Sequence, residues 1–183
     1  MFENLSLLAL QQYWWVLVSV LGALFVFLTF VQGGQTLLYI ARTEGEKTLI
    51  LNTLGRKWEF TFTTLVTFGG AFFASFPLFY ATSFGGAYWV WMAILAAFVI
   101  QAVSYEFRKK PANFLGAKTF EIFLTINGLL GTILIGTAVG TFFNGAMFSL
   151  NDLNQVDWHT PYRGLEAVLT FHNVALGLSV FFL

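Results

Sequence analysis

Glu59 and Glu106 stand at the two ends of a stretch, residues 60–105, that contains no charged side chain. A carboxylate at the margin of an apolar run has two uses. It holds a boundary ion pair with the basic residues beside it, here Arg56 and Lys57 or Arg108 and Lys109, or it changes protonation at the mouth of a proton route. Gln32 and Gln35 flank Gly33 and Gly34 and interrupt another apolar run. About 15 Å of helix separates them from Arg42. At that depth in a bilayer an amide bonds a neighbouring helix, contacts a bound headgroup or lies on a proton path. Gly128, Thr132, Gly136, Gly140 and Asn144 recur at four-residue spacing. A helix presents such residues on one face, where another backbone approaches closely; a pore lining is the other use of that face. Glu121, three residues after Lys118, reads as its i,i+3 ion-pair partner. His172, a single imidazole with no second ligand in pattern, reads as a hydrogen-bonded interior residue rather than an axial metal ligand, and His159 lies in a loop. No nucleophile–base set, phosphate loop or metal-ligand cluster stands out, and the absence of Cys removes disulfides and thiolate ligands.

Those residues need elements to position them, and the composition says what kind. Of 183 residues 57% are hydrophobic and 10% charged, with a mean hydropathy of +0.74. A globular domain carries about 25% charged residues, so the main solvent of this chain is lipid. The net charge of zero argues against nucleic-acid binding. No charge falls between Glu3 and Arg42, and a helix from Gln12 to Ala41 would be about 45 Å long, enough to cross with tilt or protrusion. Residues 60–105 are too many for one crossing and suit two, joined by a tight turn at Thr82-Ser83-Phe84-Gly85-Gly86. A fourth span runs from Ile122 to Asn144, after a break at Lys110-Pro111-Ala112-Asn113. A fifth begins at Ala167 and stops at Leu183, short of a full crossing. Thr43 and Glu46 fit a capping box that opens a short surface helix ending at Gly55. The start, Met1-Phe2-Glu3, lacks the basic region of a signal peptide, so the first apolar run reads as a retained span.

The expected fold is thus an all-α integral membrane protein with four full transmembrane helices and a truncated fifth. Residues 1–150 form a first four-helix unit, and 151–183 an outer loop with the start of a second unit, so the chain reads as a piece of a longer protein. Eight of the nine basic residues occupy two loops, one with Arg42, Lys47, Arg56 and Lys57, the other with Arg108, Lys109, Lys110 and Lys118. The excess of Lys and Arg on cytoplasmic loops places both inside and the N-terminus outside. Trp14, Trp15, Trp89, Trp91 and Trp158 then fall at the outer interface and Trp58 at the inner one, where amphipathic rings settle.

The block Asn52-Thr53-Leu54-Gly55-Arg56-Lys57-Trp58-Glu59, followed by Thr67-Phe68-Gly69-Gly70-Ala71-Phe72-Phe73-Ala74-Ser75-Phe76-Pro77, resembles subunit II of cytochrome bd-type quinol oxidases. Tyr105-Glu106-Phe107-Arg108 is similar to that family's exit from span three, and Gly136-Thr137-Ala138-Val139-Gly140 with Asn144-Gly145 to its exit from span four. The resemblance covers nearly the whole chain, and its motifs are patterns of small and aromatic residues. It implies a bacterial cytoplasmic-membrane complex that oxidises quinol and reduces dioxygen to water. Haems b and d would be held by a partner, subunit I, with membrane lipid and a small accessory subunit as further neighbours. This chain would be a scaffold and proton-conducting partner that binds no metal and is not catalytic alone. Glu59 and Glu106 match acidic positions of the family, Glu59 one assigned to a cytoplasmic proton route. A structural quinone is held by some members; for Gln32 and Gln35 a contact with one stands as an alternative beside interhelical hydrogen bonding. Many members have two aspartates in span one where this chain has Gln32 and Gln35, amides that cannot ionise, and an arginine where it has Gln101. A small multi-span transporter and a structural membrane anchor remain the alternatives from other functional classes.

Overall fold

A computed structural model describes residues 6–29, 31–111 and 113–183. Met1, Phe2 and Glu3 at the start of the chain, Phe30 in the first apolar run and Ala112 in the break after span three lie outside the described residues. The first apolar run forms α1 (Leu7–Thr29), followed by a 3₁₀ segment (Gln32–Tyr39). The α-helix therefore does not continue to Ala41. Gly33 and Gly34 favour the helix weakly, and the tighter 3₁₀ winding lets Gln32 and Gln35 both turn inward.

The next helix is longer than its sequence suggests. α2 spans Glu44–Ser75, so the capped surface segment and span two are one continuous helix rather than a short helix ending at Gly55. The capping box does form: Glu46 N donates to Thr43 Oγ1 at 3.2 Å, and Thr43 N donates to Glu46 Oε2 at 3.1 Å. The backbone N–H groups of Arg42 and Thr43 hold the Glu46 carboxyl below its ordinary pKa. Helix α2 ends where Pro77 cannot donate, and Pro77 then opens α3 (Pro77–Gly86). The turn residues 82–86 are helical, and a single residue, Ala87, joins α3 to α4 (Tyr88–Phe107). Helix α5 (Ala117–Asn144) begins five residues earlier than Ile122. Beyond it a two-stranded antiparallel hairpin, β1 (Phe148–Leu150) and β2 (Val156–Trp158), replaces the irregular outer loop. The last apolar run divides into α6 (Leu165–Val168) and α7 (Phe171–Phe182).

Side-chain pairs give the helix directions. Phe25 meets Phe68 and Trp15 meets Phe76, so α1 and α2 are antiparallel. Trp58 stacks with Tyr105 and Phe62 packs on Phe98, which makes α2 and α4 antiparallel as well. The core lies among Phe25, Ile94, Phe98, Ile135 and Val168. Leu7–Tyr39, Tyr88–Phe107 and Ala117–Asn144 are each long and apolar enough to cross a membrane. With 78% of the residues helical, the chain is a predominantly α-helical, multi-pass membrane protein.

Candidate functional site

Polar side chains gather between the 3₁₀ segment, α4 and α5. Gln32 and Gln35 are 4% and 1% exposed, and Gln101, on α4, is fully buried. Gln32 Nε2 donates to Gln101 Oε1 at 2.6 Å and to Asn127 Oδ1, on α5, at 3.5 Å. Asn127 Nδ2 donates in turn to the Ala97 carbonyl. Three helical elements are thereby tied by amides, which in a lipid medium replaces the hydrophobic drive that would hold soluble helices together. The set is not closed. Gln35 Oε1, an acceptor, and Gln101 Nε2, a donor, have no hydrogen-bond partner among the described residues. Asn127 was not among the residues that sequence singled out; an amide amid the apolar stretch from Ile122 was its only signal.

The two basic loops meet at one end of the bundle. Glu121 receives Lys47 Nζ on Oε2 at 2.9 Å, and on Oε1 both Arg108 Nε at 3.0 Å and Arg108 Nη2. Glu44 joins the network through Lys47 at 3.3 Å and Arg108 at 3.4 Å. Glu121 is therefore paired with Lys47 and Arg108 rather than with Lys118. The tertiary fold brings those cations closer and in better geometry than the i,i+3 neighbour. Hydrogen bonds to Glu121 and Glu44 raise the Lys47 pKa. Glu106 is exposed and pairs with Lys110 at 2.5 Å. Glu59 is exposed too, with no ion-pair partner among the described residues. The structure does not bring Glu59 and Glu106 together with the buried amides.

The small-residue face of α5 receives two elements in succession. A Cβ on Gly128 would lie 2.8 Å from Gln35 Cβ, and one on Gly136 2.8 Å from Gly177 Cα of α7. At Gly140 the neighbour is Asn173 Oδ1, also at 2.8 Å. Thr132 is buried between these contacts and donates to the Gly128 carbonyl at 2.8 Å. Asn144 Nδ2 donates to Asn173 Oδ1 at 2.5 Å, and Asn173 Nδ2 to the Ala167 carbonyl at 2.6 Å. His172 is exposed, its ring edge-on to Phe171, so the interior polar residue of α7 is Asn173 and not the histidine. One residue of helical phase, about 100°, decides between them. His159 is exposed as well. Among the described residues no group of three or more His, Asp or Glu side chains is placed to hold a metal ion.

Comparison with known proteins places this arrangement. The family model for cytochrome bd terminal oxidase subunit II matches residues 10–183. A Haemophilus influenzae protein named a probable cytochrome oxidase subunit 2 is 33% identical over 147 residues, 79% of this chain and 39% of that protein. Cytochrome bd ubiquinol oxidase subunit 2 of Bacillus subtilis is 30% identical over 142 residues, 75% of this chain and 41% of its own length. Cytochrome bd-I ubiquinol oxidase subunit 2 of Escherichia coli is 27% identical over 141 residues, 76% and 37% of the two chains. The chain thus spans about two fifths of the length of the curated relatives it matches. With a match that runs from residue 10 to residue 183, the chain belongs to the cytochrome bd terminal oxidase subunit II family.

Proposed function

We propose that this chain acts within subunit II of a bd-type quinol oxidase, an oxidoreductase complex that couples quinol oxidation to reduction of dioxygen to water. The observation that carries the reading is the family match over residues 10–183. Its setting is the bacterial inner membrane, with the two basic loops cytoplasmic and the N-terminus outside. Four crossings are made by α1, by α2 continued into α3, by α4 and by α5, with α7 starting a fifth. Residues 1–150 are then a first four-helix unit and 151–183 the approach to a second.

Catalysis belongs to the complex. Haems b and d supply the electron transfer and oxygen chemistry there. Among the described residues no group of three or more His, Asp or Glu side chains is placed to hold a metal ion, and we assign the haems to subunit I on the family resemblance. Gln32 is engaged with Gln101 and Asn127. Gln35 Oε1 accepts nothing among the described residues and is the atom available to a buried water or to a structural quinol hydroxyl. A small accessory subunit completes the assembly.

The partner subunit is best seated on the outer face of α2. Glu59, Thr63, Thr67 and Gly70 share that face and are exposed, and a Cβ on Gly70 would meet nothing within 4 Å. A carboxylate at a membrane edge, with no ion partner among the described residues, is costly unless a partner or water meets it. Glu59 is accordingly the proton-handling carboxylate of this chain, and Glu106, already paired with Lys110, a secondary one. Substitution separates relay from boundary charge. In the full complex Glu59→Gln should slow quinol-driven oxygen consumption about tenfold, below the 10²–10⁴-fold that general acid–base groups contribute, because the residue is remote from the chemistry. Haem content should stay unchanged, and Glu59→Asp should retain much of the rate. Wild-type turnover and proton uptake by Glu59→Gln in reconstituted vesicles would sink the relay.

A further inference from the structure

A cleft of about 300 Å³ opens between α2 and α4 at the basic end of the bundle. Its floor is Leu51 and the ring of Tyr105, which sits close over Gly55: a Cβ there would lie 3.2 Å from the ring. Its walls carry Asn52 and Arg56 from α2, and Arg108 and Lys109 from the end of α4. Among the described residues no carboxylate lines it. Arg108 is committed to Glu121 and Glu44, but the other two cations are not neutralised. Lys109 Nζ reaches across to Thr48 Oγ1 at 3.4 Å, a neutral partner. Arg56 is exposed and has no ion partner among the described residues, and Asn52 makes no side-chain hydrogen bond among them. The imbalance extends beyond the cleft: residues 42–121 hold eight Lys and Arg against five Glu.

We propose that this cleft binds the phosphate of an anionic phospholipid headgroup, held by Arg56, Lys109 and Asn52. Guanidinium and ammonium groups that line one cleft with no carboxylate among its described lining residues are matched by phosphate oxygens. The neighbourhood favours a lipid over a free anion. Lys57 and Lys110 at the same end lie over Phe27 and Phe107 at 5.7 and 4.6 Å, as cations do at a membrane boundary. The proposal needs only that this end meet a lipid leaflet and does not depend on the redox role.

The test uses the full-length protein, purified with the subunits that accompany it, stripped of lipid and titrated with phosphatidylglycerol, phosphatidylcholine or inorganic phosphate. Native mass spectrometry reads occupancy. Phosphatidylglycerol should bind in preference to phosphatidylcholine, and Arg56→Gln and Lys109→Gln should each weaken it about fivefold, the effect of one basic residue at an anionic surface. The charge-retaining pair Arg56→Lys and Lys109→Arg should bind as wild type, which separates lost charge from misfolding. Unchanged phosphatidylglycerol binding by the double Gln variant would overturn the site. Competition by millimolar inorganic phosphate at equal strength would make it a free-anion site instead. Loss of an accompanying subunit from the Gln variants, with lipid occupancy unchanged, would make the cleft a protein interface.

Discussion

Glu121 takes its hydrogen bonds from Lys47 and Arg108, residues 74 and 13 positions away. Neither distance is visible to a rule about helical neighbours, and the chain chose them because α4, α5 and the start of α2 converge where the two basic loops meet. Arg108 is 5% exposed, so removing its carboxylate strands a charge. Glu121→Gln should destabilise the protein by about 2 kcal/mol, below the roughly 3–5 kcal/mol of a fully enclosed pair, because Glu44 opens the network to solvent. Lys118→Ala should leave the melting temperature unmoved. A thermal melt in detergent decides: equal losses for the two variants would restore the local pair. The buried amides teach the same lesson. Gln32 and Gln35 were legible as polar groups in an apolar run, but the bonding of Gln32 to Gln101 and Asn127 joins positions 69 and 95 residues apart.

At the scale of elements, the stripe along α5 reads from sequence as a contact face, and the structure says what meets it. Gly128 faces the 3₁₀ segment, and Gly136 and Gly140 face α7. Side-chain spacing fixes which residues share a face; it carries no information on which partner fills it. Gly136→Leu should push α7 off α5, since even a Cβ would stand 2.8 Å from Gly177 Cα. The expected cost is about 1–3 kcal/mol, that of overpacking a well-packed contact, read as a lower melting temperature and reduced yield of the assembled complex. Wild-type behaviour would mean that α7 does not dock there. Boundaries were the less legible part. Gly55 was expected to end a helix, yet α2 runs through it with the Tyr105 ring close over it; a further break falls at Pro77, and the Gly-rich stretch closes α3 at Gly86.

For the whole molecule, the buried ion-pair network and the Trp158 contacts mark opposite ends of the bundle. Lys47, Arg108 and Lys109 meet Glu44, Glu121 and Thr48 at one end. At the other, Trp158 lies over Gly86 and Gly164, and Trp91 stacks on Phe84 at 4.5 Å. We expect the first end to be cytoplasmic, since translocating eight cations is disfavoured. A Cys placed at Lys109, in this Cys-free background, should resist an impermeant thiol reagent in intact cells and react after permeabilisation; labelling of intact cells would invert the topology. Membrane insertion follows from the sequence by itself, because long uncharged runs cannot be solvated by water and backbone groups in lipid must bond within their own helix. The family was legible there as well, in blocks of small and aromatic residues. What only the tertiary structure decided is which polar groups meet inside: the Glu121 network, the Gln32–Gln101–Asn127 ties and the pairing of Asn173 with Asn144. Each joins residues far apart in the chain, and in a medium that does not drive helices together, close packing and interhelical hydrogen bonds select the partners.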